Sequence, residues 1–183
     1  GLAYGAQGYT HHGVEDLAVT RVLPNMSVLA PGDPVEAALA TTALASWQGP
    51  CYLRLGKEGE PIVHDVAPAF AIGKAITMRV GGALTLISTG GTLELTMSAS
   101  AMLAATGLSV RVLSMPTLRP LDREAVVCAA RETGKIITVE EHGVGGLGSA
   151  VAEVLAELDG PVRFRPVRWQ ATPSTVAGSQ KTL

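Results

Sequence analysis

Two histidines stand side by side in the run Gly8-Tyr9-Thr10-His11-His12-Gly13-Val14-Glu15-Asp16, a glycine-flanked loop that leads into an acidic helix start. Imidazole titrates near neutral pH, so a loop that carries it can move a proton or orient a polar substrate. Three uses compete for the pair. With Asp16 they offer metal-ligand atoms, but adjacent side chains rarely converge on one ion without further ligands, and few lie near, so no metal site is expected. One histidine can cap the helix that follows. Or at least one of them serves catalysis or substrate binding.

Other residues have competing uses too. Arg54 closes an apolar stretch of strand character, where α/β folds place ligand-binding groups, and Lys57 follows three residues later. A guanidinium there suits a phosphate or carboxylate, and a surface ion pair explains it nearly as well. Glu140 and Glu141 form an acid pair whose expected use is helix-end solvation or a subunit contact rather than proton transfer. Gly143-Val144-Gly145-Gly146-Leu147-Gly148 satisfies the spacing of a dinucleotide fingerprint. Two carboxylates just before it would repel a pyrophosphate, and Arg165 and Arg168 stand where a ribose-binding acid is needed. The glycines are therefore expected to serve close helix–strand packing. Cys51 and Cys128 have no neighbouring base in sequence and are expected in the core.

The elements that must position these groups alternate strand and helix. A short helix is expected from Val14 towards Val22, a turn at Pro24-Asn25 and a buried strand at Ser27 to Ala30. Asp33-Pro34-Val35-Glu36 combines an N-cap acid, proline in the first turn and a following glutamate, which predicts a helix ending before Gly49-Pro50. Cys51 to Arg54 reads as the next strand. From about Gly56 to Ile72 the chain is Gly-, Pro- and charge-bearing without a period, as in a connector.

A second block follows, from Gly73 to Arg79 and a turn at Gly81-Gly82. Strands are expected at Leu84–Ser88, Val110–Met115, Ile136–Val139 and Val162–Phe164. Between them run a helix with Leu95, Ala99, Met102 and Leu103 on one face, a helix from Asp122 to Gly134, and a helix with Ala150, Val151, Val154, Leu155 and Leu158 on one face. This alternation implies a mainly parallel, covered sheet.

Composition agrees. With 47% apolar residues but only 4% aromatic ones, small side chains must fill the core, which favours α/β packing over an aromatic-rich sandwich. A net charge of −2 gives no electrostatic case for nucleic acid or an anionic membrane. Two cysteines without CxxC spacing suit a reducing compartment, and no apolar run reaches spanning length, so a soluble, cytoplasmic protein is expected. The first residue, Gly1, opens directly into a Gly-rich loop, which points to sequence upstream of this chain.

The His11 loop, Leu23-Pro24-Asn25-Met26, Ala30-Pro31-Gly32-Asp33 and Leu53-Arg54 resemble the second half of a transketolase pyrimidine-binding domain. Ile87-Ser88-Thr89-Gly90, the run Leu113 to Asp122, and Thr138-Val139-Glu140-Glu141-His142 leading to Gly145-Gly146-Leu147-Gly148 resemble that family's C-terminal domain. The resemblance covers nearly the whole chain. It is nearest to bacterial transketolase-like proteins made as two subunits, with deoxyxylulose-phosphate synthase as the near rival.

The resemblance implies residues 1–60 as the C-terminal half of a pyrimidine-binding domain, 61–72 as a linker, and 73–183 as a three-layer α/β/α C-terminal domain with a mainly parallel sheet. It implies ketol transfer between sugar phosphates on thiamine diphosphate and Mg2+, His11 as the catalytic histidine, and His12 and Arg54 as substrate-binding residues. It also implies partners: further copies of the chain, an N-terminal transketolase subunit, or both. Gln7 stands where many transketolases carry Asp. The glutamate that activates the cofactor and the diphosphate-binding GDG motif are not in this chain, so it is expected to be inactive alone, with no cofactor bound. Two rivals remain: a non-catalytic assembly or regulatory module of the same fold, and a nucleotide-binding module using Gly143 to Gly148.

Overall fold

The computed structural model describes residues 1–170 and 175–183. Two 3-10 turns, Gly5–Gln7 and Tyr9–His11, open the chain, and helix α1 (Asp16–Val22) follows. Strand β1 (Ser27–Leu29), helix α2 (Pro34–Leu44) and strand β2 (Cys51–Leu53) complete the first block. Local signals explain these elements. Asn25 turns the chain at φ 60°, and Asp33 Oδ1 accepts the Glu36 N–H at 2.8 Å with Pro34 in the first turn.

The second block holds β3 (Ile76–Arg79), β4 (Leu84–Ser88), α3 (Leu93–Ala105), β5 (Val110–Ser114), β6 (Thr117–Arg119), α4 (Arg123–Thr133), β7 (Lys135–Val139), α5 (Leu147–Leu155) and β8 (Arg163–Val167). Asp122 caps α4 through the Ala125 N–H, and Gly134 ends it in the left-handed conformation at φ 62°. Five strands form one sheet in the order β3-β5-β4-β7-β8, parallel except for β3, which runs against β5.

Strand alternation builds the three layers. Leu86, Val110 and Val112 face α3 and meet Met97 and Leu103. Their neighbours Ile87, Leu113 and Ile136 point the other way, onto Val126 and Ala129 of α4 and Val151 and Val154 of α5. That second cluster continues into Leu17, Val28 and Ala30, so the two blocks share one core.

The smaller sheet, β2-β1-β6, was not expected. Strand β6 lies in the second block and pairs antiparallel to β1, with Leu29 opposite Thr117. Three residues between proline-bearing turns carry too short a pattern to read as a strand.

Two expectations fail. On α3 the predicted apolar face is split: Leu95 and Met102 are 61% and 74% exposed, while Leu103 packs on the sheet. The helix instead buries Leu93 together with Thr96 and Ser100; the Thr96 hydroxyl donates to the Thr92 carbonyl at 2.7 Å and the Ser100 hydroxyl to the Met97 carbonyl at 2.8 Å. Both cysteines are exposed as well. Cys51 opens the edge strand β2, and Cys128 lies on α4 away from Val126 and Ala129.

The connector has no helix or strand but is anchored. Asp33 Oδ2 accepts the N–H groups of Val63 and His64 at 2.9 and 3.0 Å, and His64 Nε2 meets Glu36 Oε1 at 2.9 Å. Ligand atoms of Asp33, Glu36 and His64 come within 4.8 Å of one another. Every carboxylate oxygen there already has a hydrogen-bond partner, since Glu36 Oε2 accepts the Gly32 N–H, so the triad reads as a latch between connector and α2. No helix among the described residues is long and apolar enough to cross a membrane.

Candidate functional site

The two 3-10 turns decide which histidine faces out. They are separated by Gly8 at φ 79°, a left-handed position that favours glycine, and His12 leaves the second turn in an extended conformation. Consecutive side chains therefore diverge. His11 is exposed, with Nδ1 3.0 Å from Thr10 Oγ1. His12 is only 5% exposed: Nε2 lies 3.2 Å from the Gly5 carbonyl, and the ring meets Tyr9 and Trp169 edge-on at 6.0 and 6.1 Å. Tyr9 is steered by its hydroxyl, which donates to Glu15 Oε1 at 2.8 Å. The loop thus offers one imidazole to solvent and uses the other to hold itself to the C-terminal block.

Arg54 is the second hub. Its side chain is 10% exposed, its Nε pairs with Asp16 Oδ2 at 3.3 Å, and Nη2 donates to the carbonyls of Gly13 and Glu141. Burial pulls its pKa down to about 10, so it stays charged at neutral pH. Tyr52 donates to the same Asp16 oxygen at 2.8 Å; burial, and then the carboxylate, push its phenol up to about 12. Arg54 braces the end of the His11 loop against the start of α1 and the turn after β7. His11, His12 and Arg54 are brought to one region, but only His11 is presented freely.

Residues that sequence reasoning undervalued complete the frame. His142 is fully buried and accepts the N–H groups of Leu17 and Ala18 at Nε2, at 3.1 and 3.3 Å. A histidine does cap the helix after the loop, but it comes from the other block. The signal was its place between the β7 strand and a glycine run. Glu141 Oε2 accepts the Leu2 N–H at 3.1 Å and Oε1 accepts Gln180 Nε2 at 2.7 Å. A cleft of about 690 Å3 has Ala3 and Ala6 on one wall and Ser179 to Lys181 on another; His11, His12 and Arg54 do not line it.

The glycine run does not present a phosphate cradle. Glu140 occupies the α5 N-terminus, its two oxygens accepting the Leu147 and Gly148 N–H groups at 2.7 Å each. Burial raises the Glu140 pKa, and those two amides oppose the rise. A Cβ at Gly146 would lie 2.1 Å from Glu140 Oε2 and 2.7 Å from His142 Nδ1. Gly146→Ala is accordingly expected to displace Glu140 and cost about 1–2 kcal/mol, read as a lower urea midpoint at unchanged slope.

Comparison with known proteins finds two family patterns along the chain. The pattern of the transketolase pyrimidine-binding domain matches residues 1–60, and that of the transketolase C-terminal domain matches residues 73–178. A subunit of the apulose-4-phosphate transketolase of Phocaeicola vulgatus is 42% identical over 166 residues, which are 90% of this chain and 53% of that protein. The 1-deoxy-D-xylulose-5-phosphate synthase of Syntrophotalea carbinolica is 39% identical over 156 residues, 84% of this chain and 25% of that one. A solved structure described as a split gene transketolase, inactive beta4 tetramer, superposes with a TM-score of 0.83 at 40% identity, covering 87% of this chain and 54% of that one. The chain spans between 53% and 59% of the length of the two apulose-4-phosphate transketolase subunits it matches. On the two domain patterns in tandem and the shared α/β/α architecture, the chain belongs to the transketolase family.

Proposed function

We propose that this chain is the C-terminal section or subunit of a thiamine-diphosphate-dependent transketolase, and that it moves a two-carbon ketol unit between sugar phosphates only when joined to the rest of the cofactor pocket. In this reading residues 1–60 are half of the pyrimidine-binding domain, 61–72 the linker and 73–183 the C-terminal domain. The partner is an N-terminal transketolase subunit, further copies of the chain, or both. The observation that carries the proposal is the tandem pair of domain matches with the exposed His11 in the first of them.

When bound, thiamine diphosphate with Mg2+ would supply the carbanion chemistry. The residues present fit one side of such a pocket. Gly1 to Asp16 contain no lysine or arginine, and their two carboxylates are engaged, Glu15 by Tyr9 and Asp16 by Arg54 and Tyr52. With no cation in this segment, the diphosphate end falls to the partner in this reading. His11 is the group available to a substrate hydroxyl or carbonyl, as hydrogen-bond donor or proton carrier. We read His12 and Arg54 as holding this loop rather than as direct substrate contacts, because their polar atoms are turned to Gly5, Asp16, Gly13 and Glu141.

The test mixes this chain with its candidate N-terminal section, thiamine diphosphate and Mg2+. Transfer from a ketose phosphate to an aldose phosphate is the expected result. Condensation of pyruvate with glyceraldehyde phosphate instead would make it a synthase section, and a complex that forms but turns over neither pair would make it an assembly module.

A further inference from the structure

His142 sits where the two blocks meet, and its hydrogen bonds fix its protonation. Nε2 receives two N–H donors, Leu17 at 3.1 Å and Ala18 at 3.3 Å, so it carries no proton. Nδ1 faces the Gly143 carbonyl at 3.1 Å, so it carries one. The ring is neutral in the Nδ1–H form. Beside it waits an unusual atom: Asp16 Oδ1 is buried, has no hydrogen-bond partner, and lies 3.8 Å from His142 Nε2. A neutral ring cannot satisfy this oxygen, whereas a protonated one can.

We propose that His142 is a proton-operated positioning residue: neutral, it caps α1 and fixes the loop that carries His11; protonated, it drops Leu17 and Ala18 and pairs with Asp16 Oδ1. Nε2 takes one proton from solvent in the change, and no other bond is made or broken covalently. The loop is exposed to it because two of its ties lie beside His142. The Gly143 N–H donates to the Val14 carbonyl at 2.8 Å, and Asp16 also holds Arg54 and Tyr52 through its other oxygen.

The charged groups around His142 set the direction. Burial lowers its pKa most, the Gly143 carbonyl opposes that, Arg54 at the end of β2 lowers it further, and Asp16 and the Glu15 main chain of the α1 segment raise it. On its own segment Glu140 is spent on α5 and Glu141 on Leu2 and Gln180. The fold therefore selects the neutral form. The stability that the neutral ring contributes is full above the ordinary histidine value of 6.5 and declines as pH falls below it, and the cap itself is lost as pH passes through the lowered folded value. The consequence for turnover rests on the role proposed above for His11; the switch itself does not.

The test is made on the whole chain by NMR, with no activity readout. Imidazole 15N shifts at pH 7.5 are expected to show His142 as the Nδ1–H tautomer. Hydrogen-exchange protection of Leu17 and Ala18, corrected for intrinsic rates, is expected to fall about five- to tenfold as His142 protonates, while Ile87 in the central strand keeps its protection. His142→Gln keeps an acceptor in place of Nε2 without titrating, and is expected to hold that protection flat across the same range. An Nε2–H tautomer, protection that does not follow His142 protonation, or the same pH dependence in H142Q would each overturn the switch. The tautomer is read on the unmutated chain, so a poorly folding variant leaves the proposal testable. If the switch fails while His11→Ala still cuts ketol transfer, the function stands without it.

Discussion

His11→Ala is expected to cut turnover of the assembled enzyme by about a hundredfold and to leave the melting temperature almost unchanged. The imidazole is exposed and its hydrogen bond is to its neighbour Thr10, so removing it opens no cavity and orphans no buried group. The adjacent substitution should do the opposite. His12 fills a buried site between Gly5, Tyr9 and Trp169, and His12→Ala is expected to cost about 2 kcal/mol of stability through the cavity left behind. Calorimetry on the two variants, with kcat and KM measured at saturating partner, separates a chemical role from a structural one. His11→Gln refines the point: partial recovery of kcat identifies hydrogen bonding to substrate, and no recovery identifies proton transfer. Wild-type turnover in H11A would remove this loop from the chemistry.

How much of this was legible depends on the range over which each signal acts. The starts of α2 and α4 and the end of α4 could be read because capping is local: Asp33 and Asp122 each bind an N–H three residues on, and Gly134 supplies its own turn. The central strands could be read from buried apolar runs such as Leu84 to Ser88. The face of α3 could not. Apolar residues surround that helix, and Thr96 and Ser100 can be buried beside Leu93 because carbonyls one turn back satisfy their hydroxyls.

The site followed the same rule. Thr10-His11-His12-Gly13 marks a candidate histidine loop in the sequence; which histidine turns outward is set by a 3-10 turn that has no strong sequence mark. The caps by His142 reach across 125 and 124 residues of chain, beyond any periodicity. From its place at a strand end, Arg54 suits a ligand-binding role and an ion pair nearly equally in the sequence. Its engagement with Gly13, Asp16 and Glu141 follows only from the packing of both blocks.

That engagement makes Arg54→Met strongly destabilising, by about 3 kcal/mol, seen as a lower urea midpoint with an unchanged slope. Methionine can replace the apolar stem but not the donors. Asp16 would keep its charge beside Tyr52 with no cation, and the carbonyls of Gly13 and Glu141 would lose a shared N–H donor. Arg54→Lys should recover only part of the loss, because one ammonium cannot reproduce a planar fork that meets three acceptors. The double variant Arg54→Met with Asp16→Asn is expected to be more stable than the single one, since the stranded carboxylate is gone. A purely substrate-binding arginine predicts another pattern: unchanged stability, a raised KM for phosphorylated sugars, and no coupling to Asp16. The stability of these variants, measured without substrate, decides whether Arg54 is first a brace for the loop that presents His11.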